Sequence, residues 1–279
     1  MDLNIQNLFG LKGKTAFVSG ASGALGGASA RGLAHAGANL ALSYNTHKDR
    51  LDDLLRELEP LGVEIKTYKV DIFDADSIRQ NADDVVRDFG QLDILVNIAG
   101  GNRPGAVYHD EGKTIFDLEL QPQADVVNLN LLGGCMWPCL LYGKKMAANP
   151  EGGSIINISS INGIRPLAGR TAYAAAKAAV INYTQALAAH VAEAVNPKLR
   201  VNAIAPGYFP NMAPSQLLVM QDGSLGVRGK TAIKAIPMGR FGEPDEMSGT
   251  VIWLASQASS YVTGITVTVD GGFIAYSPA

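Results

Sequence analysis

The sequence predicts one α/β domain built on a doubly wound parallel sheet of about seven strands, with helices on both faces. Three observations lead there. Short apolar, β-branched runs alternate with longer helix-forming segments along most of the 279 residues, the pattern of strand–helix–strand units with right-handed crossovers. Several runs are continuously apolar, as strands covered on both faces are. With 47% hydrophobic and 18% charged residues, and no repeat or low-complexity tract, a single domain over 1–279 is the economical reading.

The strands are expected at 14–20, 39–45, 64–71, 92–100, 153–160, 199–205 and 264–270. Crossover helices are expected at 24–37, 47–59, 74–89, 123–148 and 171–194. Two excursions stand apart: a polar loop at 101–122, and a Pro- and Gly-punctuated insertion at 206–242. Ligands of open parallel sheets bind beyond the carboxyl ends of the strands. The two excursions are therefore expected to form a substrate wall and a lid. Leu217, Leu218, Val219 and Met220 are expected as the buried face of a short lid helix, with an apolar substrate wall as the other reading.

A net charge of −3 gives no electrostatic footprint for nucleic acid or an anionic membrane. No basic region followed by an apolar stretch opens the chain, and no run of eighteen apolar residues is present. A soluble protein with a small-molecule ligand, in the cytoplasm, is the expectation. The two cysteines, Cys135 and Cys139, have no neighbouring partners for a zinc site and are expected as small core residues. No metal is expected.

The first strand runs into Ser19-Gly20-Ala21-Ser22-Gly23-Ala24-Leu25-Gly26 and then a helix. Glycines there let the backbone turn sharply, and a helix N-terminus attracts a pyrophosphate. A dinucleotide is the expected ligand. Ser19, Gly20, Ser22, Gly23, Leu25 and Gly26 would cradle it, and Asp71, Ile72, Asn97, Ala99 and Gly100 would follow at the next strand ends. Tyr44 and Asn45 end the second strand where an acidic residue would receive an NAD ribose. No acidic residue stands there, whereas Lys48 and Arg50 suit a 2′-phosphate, so NADP is favoured over NAD.

Tyr173 and Lys177 lie four apart in an alanine-rich helical segment and so share one face; read on its own, such a pair is a solvated helix face. A phenol has a pKa near ~10, and an adjacent ammonium lowers it toward the range of useful acid–base work. Ser160 ends the fifth strand, where its hydroxyl can meet a substrate oxygen; Ser159 should point the other way and be structural. Asn130 is a polar residue in an apolar helix, a satisfied buried amide on the plain reading.

Together SGASGALG, the Asp71 strand end, NIAG, Asn130, Ser160, YAAAK, PGYF and VDGGF resemble the short-chain dehydrogenase/reductase family over nearly the full length. The resemblance implies a Rossmann-type fold and a catalytic tetrad of Asn130, Ser160, Tyr173 and Lys177. In that tetrad Tyr173 exchanges the proton and Ser160 positions the substrate oxygen. Lys177 binds the nicotinamide ribose and tunes Tyr173, while Asn130 holds a water. It also implies that Pro206, Gly207 and Phe209 contact the nicotinamide end, and that the protein is a homotetramer, or a dimer. Ala24, Ile98 and Asn211 depart from the family's usual residues. A narrower likeness, in GGNRPGA, INGIRPLAGR, QDGSLGVRGK and IPMGRFGEPDEM, is to oxidoreductases interconverting D-mannonate and D-fructuronate and to related sugar-acid reductases. Arg103, Arg165 and Arg170 suit a substrate carboxylate, and Asn102, Asn162 and Asn211 suit sugar hydroxyls. A 3-oxoacyl thioester reductase and a non-catalytic NADP sensor are the alternatives.

Overall fold

The computed structural model describes residues 4–108, 112–210, 218–220 and 222–276. Its seven strands are β1 (Thr15–Val18), β2 (Asn39–Tyr44), β3 (Ile65–Lys69), β4 (Ile94–Asn97), β5 (Gly153–Ile158), β6 (Leu199–Pro206) and β7 (Thr266–Val269). They form one sheet in the order β3-β2-β1-β4-β5-β6-β7, every pairing parallel. The chain winds outward from β1 to β3, then crosses back to β4 on the other side of β1. That reversal leaves a crevice beyond the carboxyl ends of β1 and β4, where such sheets bind ligands.

The helices that precede the site follow from their sequences. The short α1 (Ile5–Phe9) leads to α2 (Ala24–His35), which begins on Gly23 with no side-chain cap. In α3 (Asp49–Leu58) the leucines 51, 54 and 58 are buried along one stripe. In α4 (Ala75–Phe89) Asp74 caps the first turn by accepting from the Asp76 N–H, and Gly90, at φ 83°, ends the helix. These amphipathic faces cover the sheet and form two apolar layers, one around Leu25, Leu33 and Leu40, the other around Phe17, Leu95 and Ile155.

The next helix, α5 (Leu120–Ala147), starts three residues earlier than its sequence predicts and is not uniformly α-helical. It widens into a π-helical stretch over Asn128–Met136. Two causes are local. Asn130 Nδ2 donates to the Val126 carbonyl, an acceptor the helix backbone would otherwise use. Gly133 and Gly134 sit where a Cβ would lie 1.8 Å from the Ile72 carbonyl oxygen and 2.7 Å from that of Ala99. Such widened turns cluster at functional positions. By length and mean hydropathy, α5 alone among the described residues is apolar enough to cross a membrane. Here its Cys135, Cys139, Tyr142 and Met146 fill the layer over the sheet, and Tyr142 stacks on Phe17 at 4.4 Å.

After β5 come the single turn α6 (Ile161–Ile164) and the 24-residue α7 (Thr171–Ala194). The lid region contains α8 (Val227–Lys234), and α9 (Ser248–Ala255) returns to the sheet. The described part of the expected lid helix is a tight turn instead. Val219 bridges Leu225 in antiparallel fashion, Gly226 N–H donates to the Leu218 carbonyl, and Gly223 takes φ 81°. The glycines flanking this apolar run favour a turn over a helix. Leu217 and Asn211 lie outside the described residues. One buried cation was not foreseen: Arg200 on β6 donates to the Leu254 and Ser256 carbonyls and to Ser259 Oγ, tying the sheet to the end of α9.

Candidate active site

The crevice is assembled by one hydroxyl. Ser19 Oγ, at the end of β1, accepts from the backbone N–H groups of Ile98 and Ala99 at 2.8 and 3.1 Å. This latch holds the glycine turn beside the end of β4. Gly20 takes φ 64°, a conformation suited to glycine. A Cβ on Gly26 would lie 2.2 Å from the Gly20 carbonyl oxygen, so the turn and the start of α2 close on each other only without side chains. Ser22 and Gly23 form the rim, and Leu25 is buried beneath it. The uncapped α2 start directs unsatisfied N–H groups into the crevice. The departure at Ala24 falls on the first helical residue, which is only half-buried.

Further along the same edge, Asp71 is exposed. Its Oδ1 accepts from the Phe73 N–H, a bond that fixes the turn holding Ile72. Tyr44 is half-buried and Asn45 exposed at the end of β2; Lys48 and Arg50 are exposed at the start of α3. Ala99 and Gly100 pass close to the deeper residues. A Cβ on Gly100 would meet Asn130 Oδ1 at 2.7 Å and Lys177 Nζ at 3.3 Å. Asn130 itself clamps the following residue: Oδ1 accepts from the Gly101 N–H at 3.0 Å and Nδ2 donates to the Gly101 carbonyl at 2.6 Å. These glycine contacts leave a cradle lined by backbone, with no room for side chains, the chemistry that a dinucleotide backbone requires.

At the deep end, Tyr173 on α7 shares a hydrogen bond with Ser160. Ser160 caps α6, its Oγ accepting from the Asn162 N–H. Lys177, one turn after Tyr173, is buried; its Nζ donates to the Ile158 carbonyl at 2.7 Å and lies 5.7 Å from the Tyr173 ring centre. Ser159 points away, donating to the Lys177 carbonyl at 2.7 Å, and so pins α7 to the sheet end. Gly163 permits this approach: a Cβ there would fall 2.6 Å from the Lys177 carbonyl group.

Burial raises the Tyr173 phenol above its ordinary pKa; the Ser160 hydrogen bond and the Arg170 charge act in the opposite direction. Desolvation lowers Lys177 to about 8. The sequence expectation assigned the tuning cation to Lys177. In the structure it is Arg170, because burial weakens the lysine's own charged form. A stability consequence follows. Between pH 8 and 10.5 the unfolded chain binds a proton at Lys177 that the folded chain does not, so this residue's contribution to stability rises with pH through that window. Lys177→Met should therefore be more stable than the wild type at pH 7 by about 3 kcal/mol, at ~1.4 kcal/mol per pKa unit. The gap should close only above about pH 10.5, as read by urea unfolding without cofactor; a gap independent of pH would contradict the shift.

Several expected contacts are placed elsewhere. Arg165 Nη2 donates to the Phe273 carbonyl at 3.0 Å, and its guanidinium stacks 4.5 Å above the Phe273 ring, so it anchors the C-terminal segment. Arg103 is exposed and lies 5.6 Å from the Phe73 ring, on the turn after β3. Asn162 is buried, with Oδ1 accepting from the Leu167 N–H, a structural bond within the loop. Asn97 faces the opposite layer, where Nδ2 donates to Asn157 Oδ1 at 2.9 Å in the register of β4 and β5. Phe209 is core: its ring fills the space over Gly242, leaving only backbone for a ligand, while Pro206 is buried and Gly207 packs on Asp270. Asn102 has a buried Oδ1 with no hydrogen-bond partner among the described residues.

Residues 20–274 match a family model described as enoyl-(acyl carrier protein) reductase. The chain is 38% identical over 275 residues to UxuB, an uncharacterized oxidoreductase of Bacillus subtilis (strain 168), covering 96% of this chain and 97% of that protein. It is 33% identical over 264 residues to the 3-oxoacyl-[acyl-carrier-protein] reductase FabG of Thermotoga maritima, covering 95% and 99%. A solved structure from Haemophilus influenza, provisionally assigned as a D-mannonate oxidoreductase and holding NAD, superposes with a TM-score of 0.85 at 34% identity, over 98% of this chain and 99% of that one. The chain belongs to the short-chain dehydrogenase/reductase family and is an NAD(P)-dependent oxidoreductase of Rossmann-type fold.

Proposed function

We propose that this protein catalyses reversible hydride transfer between a nicotinamide dinucleotide and a secondary alcohol or ketone of a sugar acid, with Asn130, Ser160, Tyr173 and Lys177 as its catalytic residues. The observation that carries the reading is the Ser160–Tyr173 hydrogen bond with the Lys177 amine behind it, at the strand edge where the glycine cradle ends. When bound, the nicotinamide supplies or accepts the hydride. Ser19, Gly20, Ser22, Gly23, Leu25 and Gly26 hold the pyrophosphate region, and Tyr44, Asn45, Asp71 and Ile72 the adenosine end. Ala99, Gly100, Pro206 and Gly207 flank the path to Tyr173. Lys48 and Arg50 favour NADP over NAD.

Tyr173 holds the transferred proton on its phenol oxygen and gives it to, or takes it from, the substrate oxygen. Ser160 donates to that oxygen as charge develops on it, the kind of preorganised contact that lowers a barrier most. Lys177, its pKa lowered by burial to about 8, replaces the Tyr173 proton at little cost. Asn130 fixes the Gly101 backbone beside the amine through two hydrogen bonds and holds a water there. The sugar-acid class is supported by the likeness to the solved structure provisionally assigned as a D-mannonate oxidoreductase. An acyl thioester is the second reading, favoured by Val227 and Met238, large apolar residues left exposed in the lid region, and by the FabG likeness. A cytoplasmic homotetramer is the assembly this family reading carries.

The test is a nicotinamide absorbance assay of uronates, aldonates and a 3-oxoacyl thioester with both cofactors. Turnover of a sugar acid with kcat/KM at least tenfold above the thioester is the expected result. Turnover of the thioester alone would move the protein to the second reading, and no turnover with any of them would fit a sensor.

A further inference from the structure

Three consecutive residues leaving β5 each grip one point of the catalytic helix α7. The Ile158 carbonyl accepts from Lys177 Nζ at 2.7 Å, Ser159 Oγ donates to the Lys177 carbonyl at 2.7 Å, and Ser160 shares a hydrogen bond with Tyr173. The first and third contacts reach side chains that do chemistry. The second reaches only backbone, and sequence reasoning gives Ser159 a structural place alone. Yet the two contacts on Lys177 take hold of that residue at both ends, its amine and its main-chain carbonyl. A lysine amine on its four-carbon stem is otherwise free to wander; fixed at both ends, it has one place.

The strand end that holds it is itself fixed. Ile158 is in register with Ile204 of β6, and the Ser159 N–H donates to the Ile204 carbonyl at 2.8 Å. Ser159 is 1% exposed and Lys177 3%, so bulk water does not stand in for the hydroxyl when it is removed. The turn α6 lies against the same carbonyl. A Cβ on Gly163 would fall 2.6 Å from the Lys177 carbonyl carbon and oxygen and 2.9 Å from the Ala178 nitrogen. The Lys177 carbonyl is thus held by one bond that draws it to the strand end and one contact that admits no closer approach.

We propose that Ser159 is a positioning residue for Lys177: its hydroxyl sets how α7 seats on the end of β5, and through that seat the place of the amine beside Gly100 and Asn130. This rests on the catalytic reading above, in which the amine serves Tyr173 and the nicotinamide ribose, and it adds what holds the amine there. Groups that act on a reacting centre must be held to about half an ångström by their supports, and small misplacements cost rate out of proportion to their size. The same helix supplies a comparison. About two turns beyond Lys177, Thr184 Oγ1 accepts from Asn157 Nδ2 at 3.0 Å, a second buried tie between α7 and β5 that bonds the sheet and not the site.

The experiment measures binding of NADH and NADPH by fluorescence and of ADP by calorimetry, with melting temperatures, for the wild type, Ser159→Ala, Gly163→Ala and Thr184→Val. ADP carries the adenosine and the pyrophosphate but no nicotinamide ribose, so it reports on the glycine cradle and is blind to the amine. Ser159→Ala should weaken the tighter-bound dinucleotide by about 3- to 10-fold, the span of one net hydrogen bond, with ADP affinity kept within about twofold. Gly163→Ala, which pushes on the same carbonyl, should show the same selective loss. Thr184→Val should melt lower by a similar margin to Ser159→Ala yet hold both affinities within about twofold. Dinucleotide affinity unchanged in Ser159→Ala, ADP affinity lost in step with it, or the same selective loss in Thr184→Val would overturn the positioning role. The two readings separate in the turnover assay above. A selective loss in Ser159→Ala, with turnover that survives Tyr173→Phe, keeps the positioning role and removes the phenol from the reaction. Turnover that needs Tyr173 while Ser159→Ala is silent keeps the reaction and removes the role.

Discussion

Replacing Tyr173 with Phe should lower kcat by about 10²- to 10⁴-fold, the span that positioned acid–base groups contribute, while cofactor affinity stays within about twofold. The ring remains half-buried in the same pocket and only the hydroxyl bonded to Ser160 is lost. The fold should therefore survive, because the variant removes one polar atom and leaves Ser160 its bond to the Asn162 N–H. Steady-state kinetics with a fluorescence titration of the reduced cofactor would separate the two effects. A variant that keeps a tenth or more of its activity would show that the proton moves by another route.

The second large effect is expected at Gly26, with its neighbour as the control. Alanine normally improves a helix interior by about 1 kcal/mol over glycine. At Gly26 the new Cβ would sit 2.2 Å from the Gly20 oxygen, 2.8 Å from the Gly20 carbonyl carbon and 2.9 Å from Ala21 Cα. All three are backbone atoms that cannot swing aside, and overpacking of this kind costs about 1–3 kcal/mol or more. The clash outweighs the propensity, so Gly26→Ala should melt several degrees lower and bind the dinucleotide at least tenfold more weakly, because the turn it deforms is the cradle. At Gly27 the nearest atom to a new Cβ is the Ala21 oxygen at 3.6 Å, an ordinary contact. Gly27→Ala should gain about 0.4–1 kcal/mol and leave cofactor affinity alone. Thermal melts of the pair give the answer; equal behaviour of the two variants would contradict the role assigned to the turn.

The difference between those adjacent glycines is what the sequence could not display. It showed the strand-turn-helix context around Ser19–Gly26, since the apolar run and the glycines are local signals. The seven strands were legible for the same reason: Ala16-Phe17-Val18 and Ile94-Leu95-Val96 are short, continuously apolar runs, and both are fully buried. The shared face of Tyr173 and Lys177 was legible through helical spacing and the position of Ser160 through the strand end, whereas their acid–base roles came only from the family resemblance. Contacts that depend on distant parts of the chain were not. Arg165 is drawn away from the crevice by the Phe273 carbonyl and ring, 108 residues later. Asn97 is turned to the other layer by its register partner Asn157. The π-helical widening around Asn130 depends on the carbonyls of Ile72 and Ala99 pressing on Gly133 and Gly134, and no helical periodicity announces it.

The central claim is that one phenol, raised by burial, exchanges the proton in both directions of the reaction. The pH dependence of kcat/KM, taken from pH 6 to 10 for alcohol oxidation and for ketone reduction on the same enzyme, tests it most directly. Oxidation needs the ionised phenol, so its rate should still be climbing at pH 9. Reduction needs the protonated form, so it should hold level through neutrality and fall only in the alkaline range. Oxidation that declines between pH 7 and 9, or profiles unaltered in what activity Tyr173→Phe retains, would contradict the claim.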